Sequence, residues 1–207
     1  MFPQVESYIR EAEKNFDKIS ERRKHLLAQI SQYVAHAIKT GQKAELIYIC
    51  THNSRRSHFG QIWARTAAAY YGFENVSTYS GGTEATAFHP NAILATEKVG
   101  FRIEKDNNPS NPKYSVHFQE SGDVILCFSK KYDAPANPQQ GFCAIMTCTE
   151  ADGACPYVPG AVARISTPYE DPKAFDNTDQ QDAKYSERCK QIATETLYAF
   201  SLVKNFI

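Results

Sequence analysis

The chain has no excess of charge of either sign: 23 Lys and Arg balance 23 Asp and Glu over 207 residues. A basic face for nucleic acid or anionic lipid is therefore not expected. No apolar run approaches the roughly 20 residues that span a bilayer. The opening Met1-Phe2-Pro3-Gln4-Val5-Glu6 lacks a charged leader with an apolar core behind it. No signal peptide is read there, and a cytoplasmic location is expected. No internal repeat is visible. There is no C-x-x-C dithiol, and no second Cys/His pair sits at the spacing of a structural zinc site, so no metal is expected. Six cysteines without an export signal point to thiol chemistry rather than to a secreted disulfide framework.

What is present suits an α/β domain. Hydrophobic residues make up 42% of the chain, enough for a core, and the length fits one domain with an appendage. Over residues 3–40, Val5, Tyr8, Ile9, Ala12 and Phe16 form one helical stripe, and Leu26, Leu27, Ile30, Tyr33, Val34, Ala37 and Ile38 form another. Asp17 or Ser20 is the expected cap of the second helix, and Gly41 marks its end. Residues 1–42 read as an N-terminal helical extension that packs on its own domain, with a homodimer interface as the alternative use of its stripes. Residues 43–207 read as the catalytic domain. Strands are expected over 45–50, 76–80, 123–128 and 142–147, and helices over 58–71, 90–99, 130–132 and 182–204. This alternation predicts a three-layer α/β fold, with a central four-stranded parallel sheet and helices on both faces. Ligands of such sheets bind at the carboxyl ends of the strands.

The richest segment is Cys50-Thr51-His52-Asn53-Ser54-Arg55-Arg56-Ser57, between the first expected strand and the helix that follows it. A loop in that setting turns its amides round one tetrahedral oxyanion, and the helix N-terminus adds partial positive charge. Arg56 supplies a planar two-pronged donor. The same field favours the thiolate of Cys50, a nucleophile. Of the other cysteines, Cys127 and Cys143 lie in apolar strand patterns and Cys189 in a helical one, where thiols are inert. Cys148 and Cys155 lie at a strand end and in a loop, seven positions apart. A helical or looped segment of that length brings its two sulfurs together only after rearrangement.

The Cys50-x5-Arg56-Ser57 loop, with Asn53 and Ser54, resembles the active-site loop of the low-molecular-weight protein tyrosine phosphatases and of the arsenate reductases that share their fold. Cys148-x-x-Ala151-Asp152-x-x-Cys155-Pro156, followed by Val158-Pro159, resembles the redox segment of thioredoxin-coupled arsenate reductases. The likeness covers about residues 45 to 200. It implies that Asp171, in Tyr169-Glu170-Asp171-Pro172, is the general acid. It also implies that Ser80-Gly81-Gly82-Thr83 and His89-Pro90 surround the loop, with Ser80 bonded to Asn53 and His89 bracing the next helix. The implied reaction is reduction of arsenate. Cys50 attacks arsenic, Cys148 resolves the adduct, and Cys155 exports the disulfide to an external thioredoxin-like reductant, with no bound cofactor. The alternative is a tyrosine phosphatase that forms a phosphocysteine at Cys50 and needs only Cys50, Arg56 and Asp171. Lys173 and Ala174 stand where such phosphatases often carry tandem aromatics after Asp-Pro. His52 stands where the reductases commonly have glycine, and Arg55 is expected to add positive charge at the loop mouth. A non-catalytic anion-binding or thiol-sensing module is the third reading.

Overall fold

The computed structural model describes residues 1–155 and 157–207. Its central sheet has four parallel strands in the order β2-β1-β6-β7. These are β1 (Ala44–Cys50), β2 (Val76–Gly82), β6 (Phe142–Met146) and β7 (Ala161–Ser166). A second, antiparallel sheet, ordered β3-β4-β5, contains β3 (Arg102–Lys105), β4 (Tyr114–His117) and β5 (Ile125–Cys127). Six α-helices are described: α1 (Pro3–Glu13), α2 (Glu21–Lys39), α3 (Arg56–Tyr70), α4 (Pro90–Val99), α5 (Thr149–Ala154) and α6 (Gln181–Ser201).

The expected architecture is present, with one strand exchanged. The 123–128 segment does not join the parallel sheet; its 125–127 core forms β5 of the smaller sheet. The fourth parallel strand is β7, which was not read from the sequence. It lies at the sheet edge and buries only Ile165, so it lacks the apolar run that marks a central strand. No helix forms at 130–132. Lys131 instead makes a parallel bridge to Gly82, and that bridge fastens the segment to the end of β2.

Alternation along β1 divides the core in two. Leu46 and Tyr48 face a large cluster shared with α2, α3 and α6, whereas Ile47, Ile49 and Cys50 face a smaller one closed by α5 and Val158. The N-terminal stripes are buried within the chain: Val5, Ile9, Leu27, Ile30 and Val34 join Trp63, Leu197 and Phe200 in the large cluster. Tyr8 stacks on Trp63 at 5.5 Å. Each such aliphatic side chain contributes about 1.5–3 kcal/mol on burial, so α1 and α2 are tied firmly to α6. Ser20 caps α2, accepting from Arg23 N–H at 3.3 Å, and Gly41 turns the chain at φ 68°. Among the described residues no helix is long and apolar enough to cross a membrane.

Candidate active site

β1 is the strand at which the chain order reverses, with β2 on one side and β6 on the other. A crevice opens at the carboxyl end of such a strand. Cys50 ends β1 and Arg56 begins α3, so the Thr51–Arg55 loop closes over that crevice.

The backbone of this loop can be followed carbonyl by carbonyl. Cys50 O accepts from Thr83 N–H (3.1 Å), and Thr51 O from Glu84 N–H (2.8 Å). His52 O accepts from the hydroxyls of Thr86 and Ser129, each at 3.1 Å. Asn53 O takes the His58 ring at 3.0 Å, and Ser54 O accepts from His89 N–H at 3.0 Å. Five successive carbonyls are thus held by the surrounding scaffold. Among the described residues no protein acceptor meets the N–H groups of residues 51–55. Bonded carbonyls beside unbonded amides are the pattern of a concavity in which backbone dipoles gather an anion. Asn53 sits at φ 44°, a left-handed position that asparagine tolerates better than most residues. Gly82 permits the loop to pass close by: a Cβ there would stand 2.6 Å from Thr51 O and 2.7 Å from Asn53 N.

Side chains fix the nucleophile. Asn53 Nδ2 donates to Ser57 Oγ at 2.9 Å, which leaves the Ser57 hydroxyl hydrogen for Cys50 Sγ, 3.1 Å away. Asn53 Oδ1 accepts from Lys130 N–H at 2.8 Å. Ser80 does not bond Asn53, as the resemblance implied. Its hydroxyl is 3.2 Å from His58 Nδ1, and His58 Nε2 meets the Asn53 carbonyl. Burial, with the Lys130 charge second, pulls His58 down to about 3, so the ring is neutral at pH 7. A carbonyl only accepts, so Nε2 carries the single hydrogen and Nδ1 accepts from Ser80. Ser80 therefore supports the loop one residue removed, through His58. That histidine was missed in the sequence, although its place directly after Arg56-Ser57 was a usable signal.

Arg56 is 5% exposed. Its Nη1 donates to Tyr169 O at 2.8 Å and its Nη2 to Asp171 Oδ2 at 2.7 Å, while its Nε is buried without a partner. The other Asp171 oxygen accepts from Lys173 N–H and caps the turn Pro172–Phe175. Tyr169 as a partner of Arg56 was not foreseen, because a backbone carbonyl leaves no mark in a sequence. Glu170 points to solvent.

Arg55 corrects an expectation. It does not charge the mouth of the loop but is itself buried, with Nε donating to Tyr185 Oη at 2.6 Å and Nη2 to Asp176 Oδ2 at 3.1 Å. Burial opposes ionisation of Asp176, but the Tyr185 hydrogen bond and the Arg55 and His89 charges outweigh it and hold the carboxyl low. The Arg55 charge is therefore matched within the fold. His89 caps α4 by accepting from Asn91 N–H. His52 is half exposed, 3.8 Å from Glu84. Beside the loop a cleft of about 270 Å³ is lined by His52, Ser54, Arg55, His89 and Lys173, among others.

All six cysteines are free thiols. Cys148 is buried in the same small cluster as Cys50 and caps α5, accepting from Ala151 N–H at 3.4 Å. Thr51 Oγ1, from the loop, lies 3.5 Å from its sulfur. Burial pushes the Cys148 thiol up, against the Thr51 contact, the Ala151 N–H and the Arg56 charge. Cys155, at the far end of α5, is half-buried at the margin of the cluster. Arg164 and Ser166 of β7 hold α5 from outside: Arg164 donates to the carbonyls of Cys155 and Asp152, and Ser166 to the Asp152 carboxylate. Pro156 lies outside the described residues.

No protein-family profile matches the chain. It is 26% identical over 130 residues to an arsenate reductase of Bacillus cereus, covering 63% of this chain and 78% of that protein. To an arsenate reductase of Bacillus licheniformis it is 23% identical over 159 residues, covering 77% and 96%. A low-molecular-weight phosphotyrosine phosphatase from Vibrio cholerae superposes with a TM-score of 0.53 at 12% identity, covering 79% of this chain and 96% of that one. Together these support reading the chain as an enzyme of this fold. The resemblance read from the loop and the cysteine segment therefore holds: this chain is similar in sequence to arsenate reductases and carries the fold of the low-molecular-weight tyrosine phosphatases.

Proposed function

We propose that this protein is a thiol-dependent arsenate reductase with a three-cysteine relay. The observation that carries the reading is the buried Cys148 sulfur, 3.5 Å from Thr51 of the anion loop and in one cluster with Cys50. Phosphoryl transfer uses no second thiol in its steps; in a phosphatase Cys148 would be incidental or would protect Cys50 from oxidation.

The amides of residues 51–55 and the unpartnered Nε of Arg56 receive the tetrahedral arsenate. Cys50 attacks arsenic as the thiolate, and one arsenic–oxygen bond breaks. Asp171 delivers the proton to the departing oxygen, which leaves as water. The Cys148 thiolate then attacks Cys50 Sγ. The sulfur–arsenic bond breaks with its electron pair going to arsenic, which leaves as arsenite, and a Cys50–Cys148 disulfide remains. Cys155 attacks Cys148 Sγ and frees Cys50 as a thiolate. The resulting Cys148–Cys155 disulfide is reduced by an external dithiol of the thioredoxin kind. The relatives named arsenate reductase support the substrate.

One observation favours the phosphatase reading. Burial disfavours the Cys148 thiolate, whereas Cys50, Arg56 and Asp171 are sufficient for phosphoryl transfer to the sulfur and hydrolysis by water. Two variants decide between the readings. Cys148→Ser abolishes multiple-turnover arsenate reduction, measured as arsenite formed with a dithiol reductant, and leaves aryl phosphate hydrolysis within about threefold of the unsubstituted protein. Cys50→Ser abolishes both. Arsenate reduction at full rate in Cys148→Ser refutes the relay.

A further inference from the structure

The clamp on Arg56 is anchored by a residue outside the 43–207 segment. Arg23 stands in the first turn of α2. Its Nε donates to Glu195 Oε2 of α6 at 2.7 Å, and both side chains are largely buried. Its guanidinium lies over the Tyr169 ring, 4.6 Å from the centroid. The second Glu195 oxygen accepts from Gln191 Nε2, so the carboxylate is oriented from two sides.

Tyr169 connects this ion pair to the site. Its carbonyl takes one prong of Arg56, and its N–H donates to Thr147 O at 3.0 Å. Two residues on, Asp171 takes the other prong. Between them the Glu170 side chain is 91% exposed, and its one printed partner is Arg188 of α6, at 3.4 Å. The buried Tyr169 ring is thus the only side chain of residues 169–171 seated in the core, and Arg23 covers its face. The two tied nitrogens of Arg56 set the plane of its guanidinium, and that plane decides where the untied Nε points.

We infer that Arg23, with Glu195, is a positioning residue for Arg56: it seats the Tyr169 ring, so that the Tyr169 carbonyl holds the guanidinium with its free Nε toward the oxyanion. The inference rests on the reading of Arg56 as the oxyanion ligand given above. A cation over an aromatic face, paired in turn with a carboxylate, orients the ring as well as adding attraction. With the ring unseated, Arg56 keeps its close bond to Asp171, with Glu150 4.0 Å away, and swings about the Asp171 bond. The N-terminal helices then serve the site by aiming its arginine.

The test is calorimetric titration with inorganic phosphate, on the full chain. Arg23→Met with Glu195→Leu removes both charges and keeps the volume, so no lone charge is left buried. Phosphate affinity is expected to fall about 10-fold. KM for an aryl phosphate rises in step while kcat changes by less than about threefold. The Arg56 Nε–H resonance shifts in a ¹H–¹⁵N spectrum. Arg23→Lys keeps the cation over the ring and restores most of the affinity. Arg56→Gln is the control. If it binds phosphate as well as the parent, the oxyanion reading fails. If Arg56→Gln loses phosphate while the folded double variant binds it normally with an unmoved Nε–H resonance, the positioning role is overturned and the oxyanion reading stands. Should the double variant not fold, Glu195→Gln keeps the shape and removes the charge. An affinity loss of about threefold is then expected, and unchanged affinity overturns the inference.

Discussion

The Cys50–Arg56 loop and the Cys148–Cys155 segment lie side by side and are built on opposite plans. In the loop every carbonyl from Cys50 to Ser54 is held by the scaffold, and Asn53, Ser57, His58 and Arg56 are all buried. In α5, six residues long, Ala151 alone is fully buried, and the hold comes mainly from Arg164 and Ser166. A helix this short is not stable by itself and depends on those contacts. The contrast suits the proposed chemistry. Binding needs donors that do not move, whereas a sulfur that must reach Cys50 and then Cys155 needs a segment that opens at low cost.

Three substitutions break or sharpen this comparison. The largest effect is expected at Gly82. Gly82→Ala places a Cβ 2.6 Å from Thr51 O, backbone against backbone, and the loop must shift. Phosphate affinity should fall about 100-fold, with about 1–3 kcal/mol lost in urea denaturation. An unchanged affinity would mean that the loop is no more rigid than α5. The second effect concerns His58, whose folded value of about 3 lies below the ordinary 6.5. The unfolded chain takes up this proton first as the pH falls. Stability from this residue is therefore full above pH 6.5 and is lost toward pH 3, by up to about 1.4 kcal/mol per pH unit. Denaturation midpoints followed from pH 7.5 to 4.5 should fall more steeply in the parent than in His58→Asn; equal slopes would show that the ring is not held neutral. The smallest expected effect on the site is that of Arg164→Ala. Amide exchange across 149–154 should speed up about 10-fold while phosphate affinity stays within about twofold. Slow exchange in that variant would mean that α5 is held by more than β7.

Legibility in the sequence follows the same division. The loop was readable because a cysteine, a two-pronged cation and a strand–helix junction coincide within eight residues; Asp171 was reached only through the family resemblance, since Asp-Pro by itself marks no more than a turn. The sheet was readable from its central strands, which carry the apolar runs 46–50 and 142–146. β7 was not, since an edge strand facing water on one side carries no apolar run. Arg55 was misread for a related reason. A charged residue beside a binding loop reads as a surface cation unless its partners are known, and Tyr185 and Asp176 lie more than 100 positions away. Ser80 was placed in the right neighbourhood but given the wrong partner, because His58 stands between it and Asn53. Side chain to backbone bonds across long separations are the part of a site that pattern does not encode.

The bonded carbonyls of residues 50–54 bear on how so small a guest can be recognised at all. A tetrahedral oxyanion has about five non-hydrogen atoms, and at the best efficiency known for tiny ligands, about 1.5 kcal/mol per atom, it returns some 7 kcal/mol. Freezing five disordered backbone residues would cost about 5–10 kcal/mol. A floppy cradle would therefore leave the ion no net affinity. Here the ordering is accomplished when the chain folds, by hydroxyls and amides of residues 83–89 and 129 and by the His58 ring, so that the few contacts of the proposed oxyanion would go wholly into holding it.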